Sequence, residues 1–72
     1  MIEQKRFNSN NYYHQVIHPR DFILRSGWTY ERAAHEFHVN TTTIWRWLRG
    51  KTKPHSRAFE DVQILNERYN IL

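Results

Sequence analysis

Five cations, Arg46, Arg49, Lys51, Lys53 and Arg57, fall within a stretch from Phe37 to Phe59 that contains no acidic residue. Guanidinium and ammonium groups donate hydrogen bonds to phosphate oxygens, and an arginine also pairs through two parallel bonds with O6 and N7 of a guanine. Just ahead of them stand Thr41 and Thr42, whose hydroxyls can reach a base or a phosphate and whose methyls can touch a thymine methyl. The chemistry on offer is recognition of a polyanion. A basic run is equally what an ordinary solvated surface looks like, so it acquires meaning only from the elements that carry it.

Those elements are written in the spacing. Tyr30, Ala33, Ala34 and Phe37 recur at i, i+3, i+4 and i+7, one face of a 3.6-residue period, and that face requires a core. Ile44, Trp47 and Leu48 repeat the pattern further on, with Thr41, Thr42, Trp45, Arg46 and Arg49 on the opposite side. Between the two helices Asn40 is a preferred N-cap, able to accept from the backbone N–H of Thr42 or Thr43, so a helix starts at Thr41. Val39 before the cap and Ile44 after it have the spacing of a hydrophobic staple, which sets the angle of entry. His38 occupies the position where the first helix should end in a left-handed residue, usually Gly or Asn. One side of the second helix packs and the other is free to bind. Arg46 is the expected base-reading side chain, and Asn40 and Thr41, at the positive end of the helix, are expected to meet a phosphate. Trp45 admits two readings, packing on sugars and thymine methyls or meeting a neighbouring helix.

The order A-A-H-E-F-H-V-N-T-T-T-I-W-R-W-L-R-G-K-T-K-P, with Trp47, Gly50 and Pro54 in a W-x-x-G-x-x-x-P segment, resembles the phage-repressor type of helix-turn-helix, the Cro and XRE group. The resemblance runs from about Pro19 to about Tyr69. It implies a compact all-α, four-helix, lambda-repressor-like domain whose third helix enters the major groove of double-stranded DNA. Asn40, Thr41, Thr42, Trp45, Arg46, Arg49, Lys51, Lys53 and Arg57 are then the expected DNA-binding residues. It also implies a transcriptional regulator, a small phage or mobile-element repressor acting as a homodimer on an inverted repeat. P-R-D-F-I-L-R-S-G-W-T-Y-E-R-A-A is similar, further, to small autorepressors encoded beside anti-CRISPR proteins. Two other readings stay open: an antitoxin-like protein-interaction module, and an accessory factor that bends DNA in recombination.

The remaining chain is read around this centre. Residues 1–18, with F-N-S-N-N-Y-Y-H in the middle, form an N-terminal arm that is either flexible or, from Tyr12 to Ile17, a short strand pairing with a second subunit. Lys5 and Arg6 would let that arm touch DNA backbone or a minor groove. Residues 19–72 form the DNA-binding domain: a first helix opened by Pro19 and closed at Gly27, a second from Tyr30 capped by Thr29, a third closed by Gly50, and a fourth capped by Ser56 and running to about Tyr69. Ala58, Val62, Leu65 and Tyr69 give that last helix its inner face, while Glu60, Asp61, Glu67 and Arg68 read as its outer, mixed-sign face.

Composition narrows the function classes. Seventy-two residues allow one small domain, and the absence of cysteine removes disulfides and thiolate metal sites. Eleven Lys and Arg against seven Asp and Glu give a net charge of +4, suited to a polyanionic partner. No apolar run approaches the ~20 residues of a membrane span, and Met1 to Arg6 does not lead into a signal-peptide core, so a cytoplasmic protein is expected. His14 and His18 lie four apart and His35 and His38 three apart, but no compact set of four ligands forms, and neither a metal nor another cofactor is expected. Ser9, Ser26 and Ser56 lack an evident base and orienting carboxylate, which argues against an enzyme. His38 and His55 flank the basic stretch and would add positive charge in mild acid.

Overall fold

The computed structural model describes residues 17–72, and among them it contains four α-helices and no strand. Of the arm expected over residues 1–18, residues 1–16, with Lys5, Arg6, His14 and all of the strand alternative but Ile17, lie outside the described residues, while Ile17 packs against the core and His18 caps α1. The helices are α1 (Pro19–Ser26), α2 (Tyr30–Phe37), α3 (Thr41–Leu48) and α4 (Ser56–Tyr69). Each begins where a side chain can satisfy a free backbone N–H. At α1 the His18 Nδ1 accepts from Arg20 N at 3.0 Å, with Pro19 in the first turn where its missing N–H costs nothing. At α2 the Thr29 hydroxyl accepts from Arg32 N at 3.0 Å. The cap of α4 is His55, whose Nδ1 accepts from Ala58 N at 3.2 Å, and Ser56 is the first helical residue. Ser56 was expected to be the cap; with His55 extended, its ring nitrogen fills the acceptor position that a serine oxygen would otherwise take.

Helix α1 stops at Gly27, whose φ of 72° is left-handed, and the Ser26 hydroxyl braces the turn by donating to Ile23 O at 2.6 Å and accepting from Trp28 N at 3.1 Å. The turned chain delivers Trp28 edge-on to Phe22, ring centroids 5.7 Å apart, and to Tyr69, 5.5 Å apart. Every helix contributes to one core: Phe22 and Ile23, then Ala33, Ala34 and Phe37, then Ile44 and Trp47, then Ala58, Val62 and Leu65. Its aromatic members meet edge to face, Phe22 with Phe37 at 6.3 Å and Phe37 with Trp47 at 5.6 Å, the arrangement that ring quadrupoles favour. Two alanines on α2 let its backbone come close to its neighbours, which is how four short helices enclose rings of this size.

Tyr30, Tyr69 and Asp61 depart from the faces expected of them, Tyr69 lying 38 % exposed at the end of α4, where its hydroxyl reaches Glu36. Tyr30 is 43 % exposed, because it opens α2 and Trp28, ahead of the cap, already fills that corner of the core. Leu24 is 64 % exposed, since α1 turns Phe22 and Ile23 inward and carries Leu24 round to solvent. Asp61, expected on the outer face of α4, is buried at 7 % exposure, with Arg57 one turn earlier supplying Nε at 3.4 Å.

A polar clasp holds α2 against the end of α4. Arg32 Nε donates to Glu36 Oε2 at 3.0 Å and the Tyr69 hydroxyl donates to the same oxygen at 2.9 Å. The Arg32 guanidinium lies over both Trp28 and Tyr69, 4.7 and 5.1 Å from the ring centroids. Burial pushes the Glu36 carboxyl upward, but the hydrogen bonds from Tyr69 and Arg32 outweigh it and hold the group below its ordinary 4.5. The unfolded chain therefore takes up the proton first, so the clasp contributes fully at neutral pH and fades as the pH drops through and below that value. Glu36→Gln should cost about 1 kcal/mol at pH 7, the worth of a hydrogen bond to a charged group on a partly open surface. Urea midpoints at pH 7 and pH 3 check this: the gap between wild type and variant should narrow in acid, and an unchanged gap would remove Glu36 from the clasp.

Candidate nucleic-acid interface

The joint between α2 and α3 is built from three residues. His38 adopts φ 60° and ψ 41°, its N–H donates to His35 O at 3.3 Å, and Val39 N donates to Ala34 O at 3.0 Å. These paired bonds close α2 as a Schellman motif, with histidine in the left-handed place that glycine usually fills. Asn40 then turns the chain into α3: its Oδ1 accepts from Thr43 N at 2.9 Å and from the Thr43 hydroxyl at 3.1 Å, and its carbonyl accepts from Ile44 N at 3.3 Å. Val39 packs half-buried on the core that contains fully buried Ile44, as a staple requires. Consecutive capping motifs thus leave the joint no free torsion.

On α3 the inner face is Ile44 and Trp47, with Leu48 and Thr43 half-buried at its margins. Thr41, Thr42, Arg46 and Arg49 are exposed and Trp45 is half-buried. At about 100° per residue, Thr42 and Arg49 lie about 180° from the mean direction of Ile44 and Trp47, with Trp45 and Arg46 about 50° to either side. Arg49 does not extend freely: its guanidinium carbon lies 5.1 Å from the centroid of the Trp45 ring, one turn earlier. Such a contact is worth about 0.5–1 kcal/mol on an exposed surface, enough to bias the rotamers of a long side chain.

The end of α3 repeats the closing device with the expected residue. Gly50 has φ 70°, its N–H donates to Trp47 O at 3.0 Å, and Lys51 N donates to Arg46 O at 2.8 Å. Pro54 is buried and the His55 ring meets Trp47 edge-on at 6.0 Å, so the segment bearing exposed Lys51 and Lys53 is tied down at both ends. Among the described residues no carboxylate pairs with Arg46, Arg49, Lys51 or Lys53, whereas Arg57 is engaged with Asp61. Arg57 therefore stands apart from the other expected contacts. His55 Nδ1 accepts the backbone N–H of Ala58 in its capping role. Among the described residues no three His, Asp or Glu side chains cluster as metal ligands. The Trp45 and Arg49 contact and the Arg57 and Asp61 pair were not anticipated, although both sit at the i, i+4 spacing that signals them.

No family model, no curated protein and no solved structure matches this chain. The interface is therefore judged on its geometry.

The joint makes two stability statements. His38→Gly should stabilise the domain by up to about 1 kcal/mol, since a left-handed histidine costs about 1–2 and glycine returns part of that as chain entropy. His38→Val should lose more than about 1 kcal/mol, because a β-branched residue resists positive φ. Asn40→Ala should lose about 1 kcal/mol while Asn40→Asp keeps the cap. Thermal and urea unfolding of the four variants measures the series; a destabilised His38→Gly would mean that the histidine side chain makes a contact outweighing its strain.

Proposed function

We propose that the chain is a sequence-specific double-stranded DNA-binding regulator of the phage-repressor helix-turn-helix type. The observation that carries the reading is the rigid presentation of a carboxylate-free basic surface: the outer face of α3 continuing into Lys51 and Lys53, with capping motifs fixing both ends. An α-helix fits the width of the major groove, where each base pair displays a distinct pattern of donors and acceptors. Asn40 satisfies the N–H of Thr43, while those of Thr41 and Thr42 at the positive end of α3 remain for a phosphate. Arg46 and Arg49 reach further along the same face. Lys51 and Lys53 follow the bend at Gly50, where a helix leaving the groove crosses the backbone.

A domain of this size covers about one half-site, so specific occupancy calls for two copies on an inverted repeat. Ile64 on α4 and Leu72 beyond it are 48 % and 41 % exposed and offer apolar area for such a homodimer. Repression by occlusion of a promoter in the cytoplasm is the simplest regulatory output, and it requires neither catalysis nor a cofactor. The competing reading, an antitoxin-like module that binds another protein, draws on exposed Leu24 and half-buried Trp45. Salt separates the two. DNA binding through these cations should weaken steeply, with log K falling by about 0.9 per neutralised phosphate for each unit of log salt. Lys51→Ala and Lys53→Ala should each flatten that slope by roughly one unit and weaken all duplexes alike, while Arg46→Ala should act mainly on the preferred sequence. Arg57→Ala should instead lower stability, because it leaves the Asp61 carboxylate buried without its partner. Fluorescence anisotropy across a salt series, with unfolding curves for each variant, provides the check; a flat salt response would replace this reading with the protein-binding one.

A further inference from the structure

Arg49 is the C-cap of α3, and by position alone its charge would sit at the rim of the helix, over phosphates. The contact with Trp45 changes that. With the guanidinium carbon 5.1 Å from the indole centroid one turn earlier, the charge is folded back along the helix toward the half that enters a groove most deeply. Arg49 also projects almost straight away from the buried Ile44 and Trp47, whereas Arg46 leans toward one side. No carboxylate among the described residues competes for the Arg49 N–H groups.

We infer that Trp45 is a positioning residue which preorganises Arg49 as a base-reading side chain, and that the ligand of this pair is a guanine edge in the major groove. This rests on the DNA-binding reading and adds to it an assignment: Arg49, set by Trp45, discriminates among sequences in addition to neutralising the backbone. A guanidinium already restricted by an aromatic surface loses less rotamer freedom when it forms two parallel bonds to O6 and N7. The indole also screens one side of those bonds from water. Only the ring is needed for this role, so phenylalanine should replace tryptophan in part and alanine should not.

The test uses the full chain, a duplex selected by it from a random-sequence library, and a scrambled duplex of the same composition. Arg49→Ala and Trp45→Ala should each weaken the selected duplex about tenfold or more and the scrambled duplex about threefold or less, the signature of a lost base contact. The double variant should be little worse than Arg49→Ala alone, since the tryptophan acts through the arginine. Trp45→Phe should recover most of the affinity, and Arg49→Lys should not, because it keeps the charge and loses the planar fork. Replacing single guanines of the selected duplex by 7-deazaguanine, which lacks the N7 acceptor, should identify one position that weakens wild type and leaves Arg49→Ala unaffected. Circular dichroism of each variant confirms the fold. Equal weakening of both duplexes would make Arg49 a phosphate contact and overturn the inference while the DNA reading stands. Additive effects of the two substitutions would overturn it too. Failure to select any duplex would overturn both readings together.

Discussion

Everything on the outer face of α3 depends on the left-handed residue at position 38 being followed at once by a helix cap. A Schellman closure consumes the carbonyls at the end of α2, and the Asn40 side chain supplies the acceptor that starts α3, so no extended linker intervenes. Had the joint been one residue longer, Ile44 and Val39 would no longer face the same core, and the 100° rotation of each α3 residue would carry Trp45 and Arg49 toward it. The orientation of the outer face of α3 is therefore inherited from a backbone conformation that histidine adopts only under strain. Strain of this kind persists where surrounding structure over-determines it, and here the paired hydrogen bonds and the staple do so.

The core that enforces the joint is small and ring-rich. Trp47 sits where the joint, the α3 face and the connecting segment converge: it meets Phe37 on α2 and His55 at the start of α4, and its own helix turns its neighbours Trp45 and Arg46 outward. Truncating so large a buried ring costs about 3–5 kcal/mol, while a domain of this length has about 5 kcal/mol in total. Packing and presentation are consequently one property in this molecule. The Glu36 clasp has a different place in the ledger, since it ties the far ends of α2 and α4 by hydrogen bonds that water can compete for, and it secures the rim of the core without deciding the orientation of α3.

Helix ends are legible in the chain because most carry a residue with a purely local role: Pro19, Thr29 and Asn40 at starts, Gly27 and Gly50 at stops. His55 was harder to read, since an imidazole serves as a cap only when its Nδ1 is free to accept, a condition set by the extended backbone and by Trp47 against the ring. Periodicity identified the inner faces of α2 and α4 but could not say how far the neighbouring helix would reach, which is why Tyr30 and Tyr69 emerged exposed. Charge misdirects at Asp61, where burial depends on Arg57 one turn away swinging over it. The exposed positions of α3 were legible as a set. That Arg49 stands opposite the core follows from the spacing of about 100° per residue, and its i, i+4 offset from Trp45 permits the contact, but that the guanidinium takes up the ring is shown by the three-dimensional structure.

The two ways in which this protein restrains its arginines bear on what they can do. Arg32 and Arg68 both face Glu36 and Arg57 faces Asp61, so each of these arginines has a carboxylate of the domain beside it. Arg32 lies over aromatic rings as well, but among the described residues Arg49 has the ring contact without a carboxylate. A carboxylate in place of Trp45 would hold the guanidinium at least as firmly, but it would cancel the positive field of this face. An indole orders the side chain through its quadrupole and leaves the positive charge uncompensated. Among the described residues the ion pairs lie on α1, α2 and α4, and the aromatic contact on α3 orders an arginine without cancelling its charge.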